Sequence, residues 1–184
     1  MKKLRVQTSK KEDDYQTPNE ALDYLIPFIN KDWIIWECAC GKGNILNYLK
    51  EKGFDIIGTD KETNFLTNEI HCDVIITNPP YSLKDEFIDR CYRLNKPFAL
   101  LMPLTSLEGQ KRGALYRQFG LQLIIPDKRI NFEHAKGINS GAWFQTAWFC
   151  WGFKLQNDLM FISSKTMKNA YNTLIAPKSH GTPC

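Results

Sequence analysis

Apolar residues along this chain follow two rhythms. Short, nearly unbroken apolar runs occur at Trp33-Ile34-Ile35-Trp36, Asp55 to Asp60, Asp73-Val74-Ile75-Ile76-Thr77, Phe98-Ala99-Leu100-Leu101-Met102 and Leu121 to Ile125. Runs of this length read as strands buried on both faces. Between them the spacing changes to that of helices. Ile45, Leu46, Tyr48 and Leu49 share one face of a helix ended near Gly53, Asp85 to Leu94 carries Phe87, Ile88, Cys91 and Tyr92, and a short helix runs to Phe119 before Gly120. Upstream, Thr17-Pro18-Asn19-Glu20 predicts a helix start, with Thr17 as cap, Pro18 in the first turn, Glu20 closing a capping box, and the helix continuing to about Pro27. Ala142 to Phe153, with Trp143, Phe144, Trp148, Phe149 and Trp151, predicts an aromatic strand, and Leu159 to Ile162 another. Residues 61–71 and 105–113 are polar connections. Strands alternating with crossover helices predict an α/β fold, a Rossmann-like, doubly wound and mostly parallel sheet, with ligands outside the carboxyl ends of its strands.

At 184 residues and 43% hydrophobic, the chain supports one well-buried core and is too short for two ordinary domains. Residues 15–163 are expected to form that domain. Residues 1–14 carry charge without periodicity and read as a flexible arm, while 164–184 lose all pattern and read as a tail. No apolar run approaches a membrane span and no apolar stretch follows the charged amino end, so a cytoplasmic protein of a bacterial or phage-infected cell is expected. Six cysteines lie mostly in apolar stretches without C-x-x-C spacing; they are expected to be reduced thiols, and no metal site is expected. The net charge of +4 permits a polyanionic partner without requiring one.

Candidate chemistry falls at two predicted strand ends. After Trp33–Trp36 comes Glu37-Cys38-Ala39-Cys40-Gly41-Lys42-Gly43, a glycine turn opening a helix, where the backbone passes close to a ligand. The third glycine of a dinucleotide fingerprint is missing, and Glu37 would repel a pyrophosphate but welcome a cationic amine. Asp60, at the next strand end about twenty residues past Gly41, sits at the distance where an acid receives ribose hydroxyls. S-adenosylmethionine carries both groups.

The second strand end is Asn78-Pro79-Pro80-Tyr81. Proline fixes its own φ and drives the preceding residue extended, so the Asn78 and Pro79 carbonyls are held at fixed angles. Two carbonyl acceptors beside an aromatic ring suit an exocyclic amine on a planar ring. They would draw the nitrogen towards a tetrahedral shape, with its lone pair aimed at a methyl group and its growing charge against two dipoles, while Tyr81 stacks on the ring.

With these motifs in place, the chain resembles class I S-adenosylmethionine-dependent methyltransferases of the adenine-N6 type, particularly small phage DNA methyltransferases. The resemblance covers about residues 14 to 153: Asp14-Tyr15-Gln16-Thr17-Pro18 is similar to the family's amino-terminal cofactor motif, Glu37 to Gly43 to its glycine motif, and Asn78 to Tyr81 to its catalytic motif. It implies the class I methyltransferase fold, S-adenosylmethionine as cofactor, and double- or single-stranded DNA as partner. It also implies Tyr15, Thr17, Glu37, Cys38, Gly41, Gly43 and Asp60 as cofactor residues, and Asn78, Pro79, Pro80 and Tyr81 as catalytic ones. Where the family often carries an Asp-Phe pair gripping the cofactor's adenine, this chain has Asn64-Phe65; the asparagine oxygen can still accept a hydrogen bond, and Phe65 is either a stacking ring or core.

Lys111, Arg112, Lys128, Arg129 and Lys136 are candidate phosphate contacts, or solvated surface charges. Two further functions share the motif: methylation of RNA bases or protein glutamine, and a catalytically silent binding module of the same fold. The recognition site, the oligomeric state and any partner subunit are open at this level.

Overall fold

The computed structural model describes residues 15–134 and 144–165. The expected arm (1–14), most of the tail (166–184) and Lys136 lie outside the described residues. Seven strands form one sheet: β2 (Ile34–Glu37), β3 (Asp55–Gly58), β4 (Val74–Thr77), β5 (Phe98–Pro103), β6 (Gln122–Pro126), β8 (Thr146–Trp151) and β9 (Leu159–Ile162). Their order is β3-β2-β4-β5-β8-β6-β9. Pairing is parallel except that β8 runs antiparallel to both β5 and β6. The carboxyl ends of β2 to β6 therefore share one edge, which carries both motifs.

The central strands read as unbroken apolar runs because both faces are covered. Ile35, Ile76, Ala99, Leu101, Ile124 and Trp148 face α1 (Asn19–Asp23) and α2 (Asn44–Glu51) on one side. Trp36, Ile75, Phe98, Leu100, Met102 and Phe149 face α3 (Lys84–Leu94) on the other. The Trp148 indole donates to the Ala21 carbonyl at 2.8 Å and pins α1 to the sheet. The helix α4 (Gln110–Phe119) follows a 3-10 turn at Leu104–Leu107. No helix among the described residues is long and apolar enough to cross a membrane.

Three expected boundaries shift. Thr17 does not cap α1: Pro18 takes the cap position in an extended conformation (φ −73, ψ 151), no side chain caps the helix, and α1 ends at Asp23, with Ile26–Phe28 a separate 3-10 turn. The polar segment 105–113 is half helical, since α4 begins at Gln110. The aromatic strand begins at Thr146, so Phe144 precedes it and turns towards the site described next.

Candidate functional site

A strap of three residues gathers the motifs. Tyr15–Gln16 form β1, paired antiparallel with β7 (Glu133–His134), in a small second sheet at the carboxyl edge of the main one. The Tyr15 carbonyl accepts from Asn78 Nδ2 at 3.2 Å, and the Thr17 carbonyl accepts from Asn44 Nδ2, at the start of α2, also at 3.2 Å. Buried Gln16 lies against the glycine turn: a Cβ at Gly41 would stand 3.6 Å from its Nε2. Thr17 thus joins the turn through its backbone, while the first bond of α1 runs from the Ala21 N–H to the Pro18 carbonyl, one residue past Thr17, so its hydroxyl is not at the cap position. Gln16 and Asn44 were not singled out from sequence; their contacts span distant segments.

Gly41 (φ 53) and Gly43 (φ 81) hold the left-handed conformation that glycine adopts at no steric cost. The turn is closed by Gly43 N–H to the Cys40 carbonyl (2.7 Å) and fixed to β3 by Cys40 N–H to the Thr59 carbonyl (3.0 Å). In front of it lies an open groove of about 440 Å³ lined by Cys40 to Gly43, Asn47, Asp60 and Glu62 among others. Asp60 is half-buried on its rim.

Glu37 lies behind the turn and not in the open groove, 1% exposed. Its carboxylate accepts from the Cys40 thiol (3.4 Å) and the Leu46 backbone N–H, a donor in the first turn of α2. The helix start expected to offer free N–H groups to a ligand therefore gives one to the chain's own acid. Burial pushes the Glu37 carboxyl up to about 7, against these hydrogen bonds and with help from the nearby Asp60 charge. An uncompensated buried acid of this kind favours a cationic neighbour and disfavours a phosphate.

Behind the thiol, Gly58 leaves a slot. A Cβ there would stand 2.6 Å from Cys40 Sγ and 2.7 Å from Leu46 Cδ2, closer than real Cβ contacts. We expect Gly58→Ala to displace the thiol and the turn, costing about 1–3 kcal/mol of stability by overpacking and weakening ligand binding in the groove. Urea unfolding measures the first effect and calorimetry the second.

Two expected cofactor side chains are core residues. Phe65 is fully buried, its ring against Trp36 (5.2 Å) and Phe87 (4.8 Å), so it does not stack on a ligand here. Cys38 is likewise fully buried, its thiol pushed well up by desolvation, and only its backbone borders the turn. The Asn64 Oδ1 accepts from the Leu66 N–H (3.0 Å), capping its own turn; one lone pair is spent on the chain. The five described cysteines are free, all buried except half-buried Cys40.

At the end of β4, Asn78 is held by its amide nitrogen on the strap, and its Oδ1 is buried with no hydrogen-bond partner among the described residues. A buried unsatisfied acceptor costs about 1–3 kcal/mol, so a donor brought to it is favoured. Around it stands a cluster of rings. Tyr15 and Tyr81 stack at 5.8 Å, Phe144 meets their edges at 5.7 and 5.4 Å, and Phe132 meets Tyr15 at 5.9 Å. Phe132 and Phe144 come from two separate loops, which local sequence pattern does not connect. Pro79 is buried, and Pro80 (φ −56, ψ 119) continues the extended chain into a 3-10 turn at Tyr81–Leu83.

The candidate phosphate contacts divide. Arg112 is internal: its guanidinium pairs with Asp85 of α3 and donates to the Glu108 carbonyl and, at 2.8 Å, to the Ser106 carbonyl. We expect Arg112→Ala to cost about 1 kcal/mol in urea unfolding, since Asp85 loses its ion pair and the Ser106 carbonyl one of its two donors, the other being the Tyr116 hydroxyl. Lys111, Lys128 and Arg129 are exposed, the last two lining a groove with Glu20, Asp23 and Lys52.

Neither the family models nor the curated protein sequences give a match to this chain. Solved structures do. A protein of Listeria monocytogenes provisionally classed as a class I S-adenosylmethionine-dependent methyltransferase superposes with a TM-score of 0.54 at 13% identity, over 86% of this chain and 68% of that one. Weaker likenesses are to a protein of Pyrococcus horikoshii provisionally classed as an RNA methyltransferase (TM-score 0.48, 11% identity, 80% of this chain and 91% of that one) and to a dimethyladenosine transferase of Plasmodium falciparum (0.46, 13%, 74% and 62%). With a mixed seven-stranded sheet, one antiparallel strand inside it and the glycine turn after its first long strand, the chain has the class I S-adenosylmethionine-dependent methyltransferase fold.

Proposed function

We propose that this protein is an S-adenosylmethionine-dependent methyltransferase acting on the exocyclic N6 amine of adenine in DNA. The observation that carries the reading is the Asn78 amide: its nitrogen is anchored on the Tyr15 carbonyl, while its buried oxygen has no partner among the described residues. With one amide hydrogen engaged on the strap, the Asn78 side chain is oriented so that its unpartnered oxygen is the acceptor offered to a donor such as an amine.

The cofactor fits the residues present. Glu37 is a carboxylate buried directly behind the groove, where its charge favours a cation in front of the turn, Asp60 on the groove rim can accept from hydroxyls, and Gly41 and Gly43 keep the turn clear of side chains. When bound, S-adenosylmethionine supplies a methyl group on a sulfonium, ready for in-line displacement. The chain's own residues do the rest. Asn78 Oδ1 and the Pro79 carbonyl take the amine hydrogens, localising the lone pair and meeting the positive charge that grows on nitrogen. Both acceptors are neutral, so they do not compete for the sulfonium in the ground state. Tyr81 offers a face for the base, worth roughly 1–3 kcal/mol. Asn78 Oδ1 is covered, so a flipped-out base reaches it only as neighbouring side chains part.

DNA is favoured as the source of the base because Lys111, Lys128 and Arg129 are exposed cations that can meet phosphates. Affinity is then mostly electrostatic. Lys128→Ala with Arg129→Ala should flatten the salt dependence of DNA binding by about one to two phosphate contacts, a change Arg112→Ala should not produce. The deciding experiment incubates the protein with labelled S-adenosylmethionine and, in parallel, DNA, RNA and protein, then digests each for mass spectrometry. N6-methyladenine in DNA is expected; label only in RNA or on glutamine overturns the substrate, and label nowhere overturns the activity.

A further inference from the structure

The Cys40 thiol occupies an unusual place. Its Sγ lies 3.4 Å from the Glu37 carbonyl and 3.4 Å from Glu37 Oε2, so one S–H stands between two acceptors of the same residue. The slot it fills exists only because position 58 has no side chain, and Cys40 alone among the described cysteines is half-buried and not buried, bordering the groove in front of the turn.

We propose that Cys40 is a positioning residue, its thiol following the charge of Glu37: it donates to the carboxylate when Glu37 is ionised and turns to the carbonyl when it is not, holding the ionised acid oriented for a cationic ligand. This rests on the reading that Glu37 receives the ammonium group of S-adenosylmethionine. The titratable groups facing Glu37 are Cys38 and Cys40 on the turn and Asp60 beyond β3. Asp60 disfavours the ionised form, and Cys38, fully buried, stays protonated; beside the Leu46 N–H, Cys40 is the side chain that favours it. A thiol suits the task better than a hydroxyl in one respect: it is a weak donor to both acceptors, so switching between them costs little. Simple space-filling, by contrast, predicts that alanine or serine at position 40 changes stability and nothing else.

The test reads Glu37 directly in the ligand-free protein. Carboxyl carbons labelled in glutamate are followed by NMR against pH, with the Glu37 signal identified by its loss in Glu37→Gln. A wild-type midpoint near 7 is expected. Cys40→Ala should move it upward by about 0.5 pH, the size of one weak hydrogen bond, and Cys40→Ser, which keeps a donor, should bring it back. Calorimetry with S-adenosylmethionine at pH 6.5 should show the alanine variant binding about threefold more weakly and the serine variant near wild type, the same shift expressed as affinity. An unmoved midpoint in the alanine variant overturns the proposal and leaves the cofactor reading standing. Absence of binding by the wild-type protein overturns both.

Discussion

Asn78→Ala should lower methyl transfer by about 10²–10³-fold or more while leaving cofactor affinity within about twofold. The split follows from the geometry: the Asn78 amide touches the strap and the acceptor side, and the groove in front of the glycine turn is lined by other residues. Alanine removes the acceptor that localises the lone pair, an interaction made most strongly in the transition state, so kcat falls and not KM for cofactor. Alanine also removes the tie to the Tyr15 carbonyl, so stability should be measured alongside; a loss of more than about 2 kcal/mol would signal a displaced strap instead. Asn78→Asp separates the two effects. It keeps an acceptor but gives up the donor to Tyr15 and places a full charge beside the sulfonium, so it should retain cofactor affinity or raise it, and still turn over slowly. Tyr81→Phe should keep most activity, since stacking needs the ring. An alanine variant with turnover close to wild type would show that the buried oxygen serves the turn and not the substrate.

Cofactor affinity should depend on pH in a way set by Glu37. Below about 7 the carboxyl is mostly protonated in the free protein, and a cationic ligand must first expel that proton. Affinity should therefore climb by up to about tenfold per pH step towards 7, level off, and fall again above about 8 as the ligand's own α-amine loses its proton. Calorimetry in buffers of different ionisation heat should register a proton released on binding near pH 6. Stability of the ligand-free protein runs the opposite way. A carboxyl raised from 4.5 to about 7 holds its proton more tightly folded than unfolded. Its contribution is fully present below 4.5 and lost as pH rises through 7, roughly 3 kcal/mol by linkage. Glu37→Gln removes the titration: it should bind S-adenosylmethionine at least tenfold more weakly, with no rise in affinity between pH 5.5 and 7. It should also unfold at higher urea than wild type at pH 8 but not at pH 5. A wild-type affinity flat across that range would show that Glu37 does not meet the ligand's cation.

The central strands could be read from the chain because they leave a clear mark: a run such as Phe98 to Met102, apolar at every position, has a place inside a sheet covered on both faces, while the order of the strands and the reversed β8 came from the structure. Glycine placement was equally readable, since Gly41, Gly43, Gly53 and Gly120 all sit at positive φ where a turn or helix end demands it. The two chemistry-bearing segments could be assigned to strand ends for the same reason. What the chain could not announce is which atoms of those segments are free to act. Glu37 reads as an acid with both oxygens open until α2 folds back and gives it the Leu46 amide, with the Cys40 thiol beside it. Phe65 reads equally as a stacking ring or a core ring until Trp36 and Phe87 close around it. Arg112 reads as a surface cation until α4 brings it against Asp85. Thr17 reads as a cap until the first helical bond is seen to start at the Pro18 carbonyl. In each case hydrophobic pattern fixes which face of an element is buried, a one-dimensional property with period 2 or 3.6. Hydrogen-bond partnership, and with it the free oxygen of Asn78, depends on contacts between residues as far apart as 15 and 78, which only the packed tertiary structure selects.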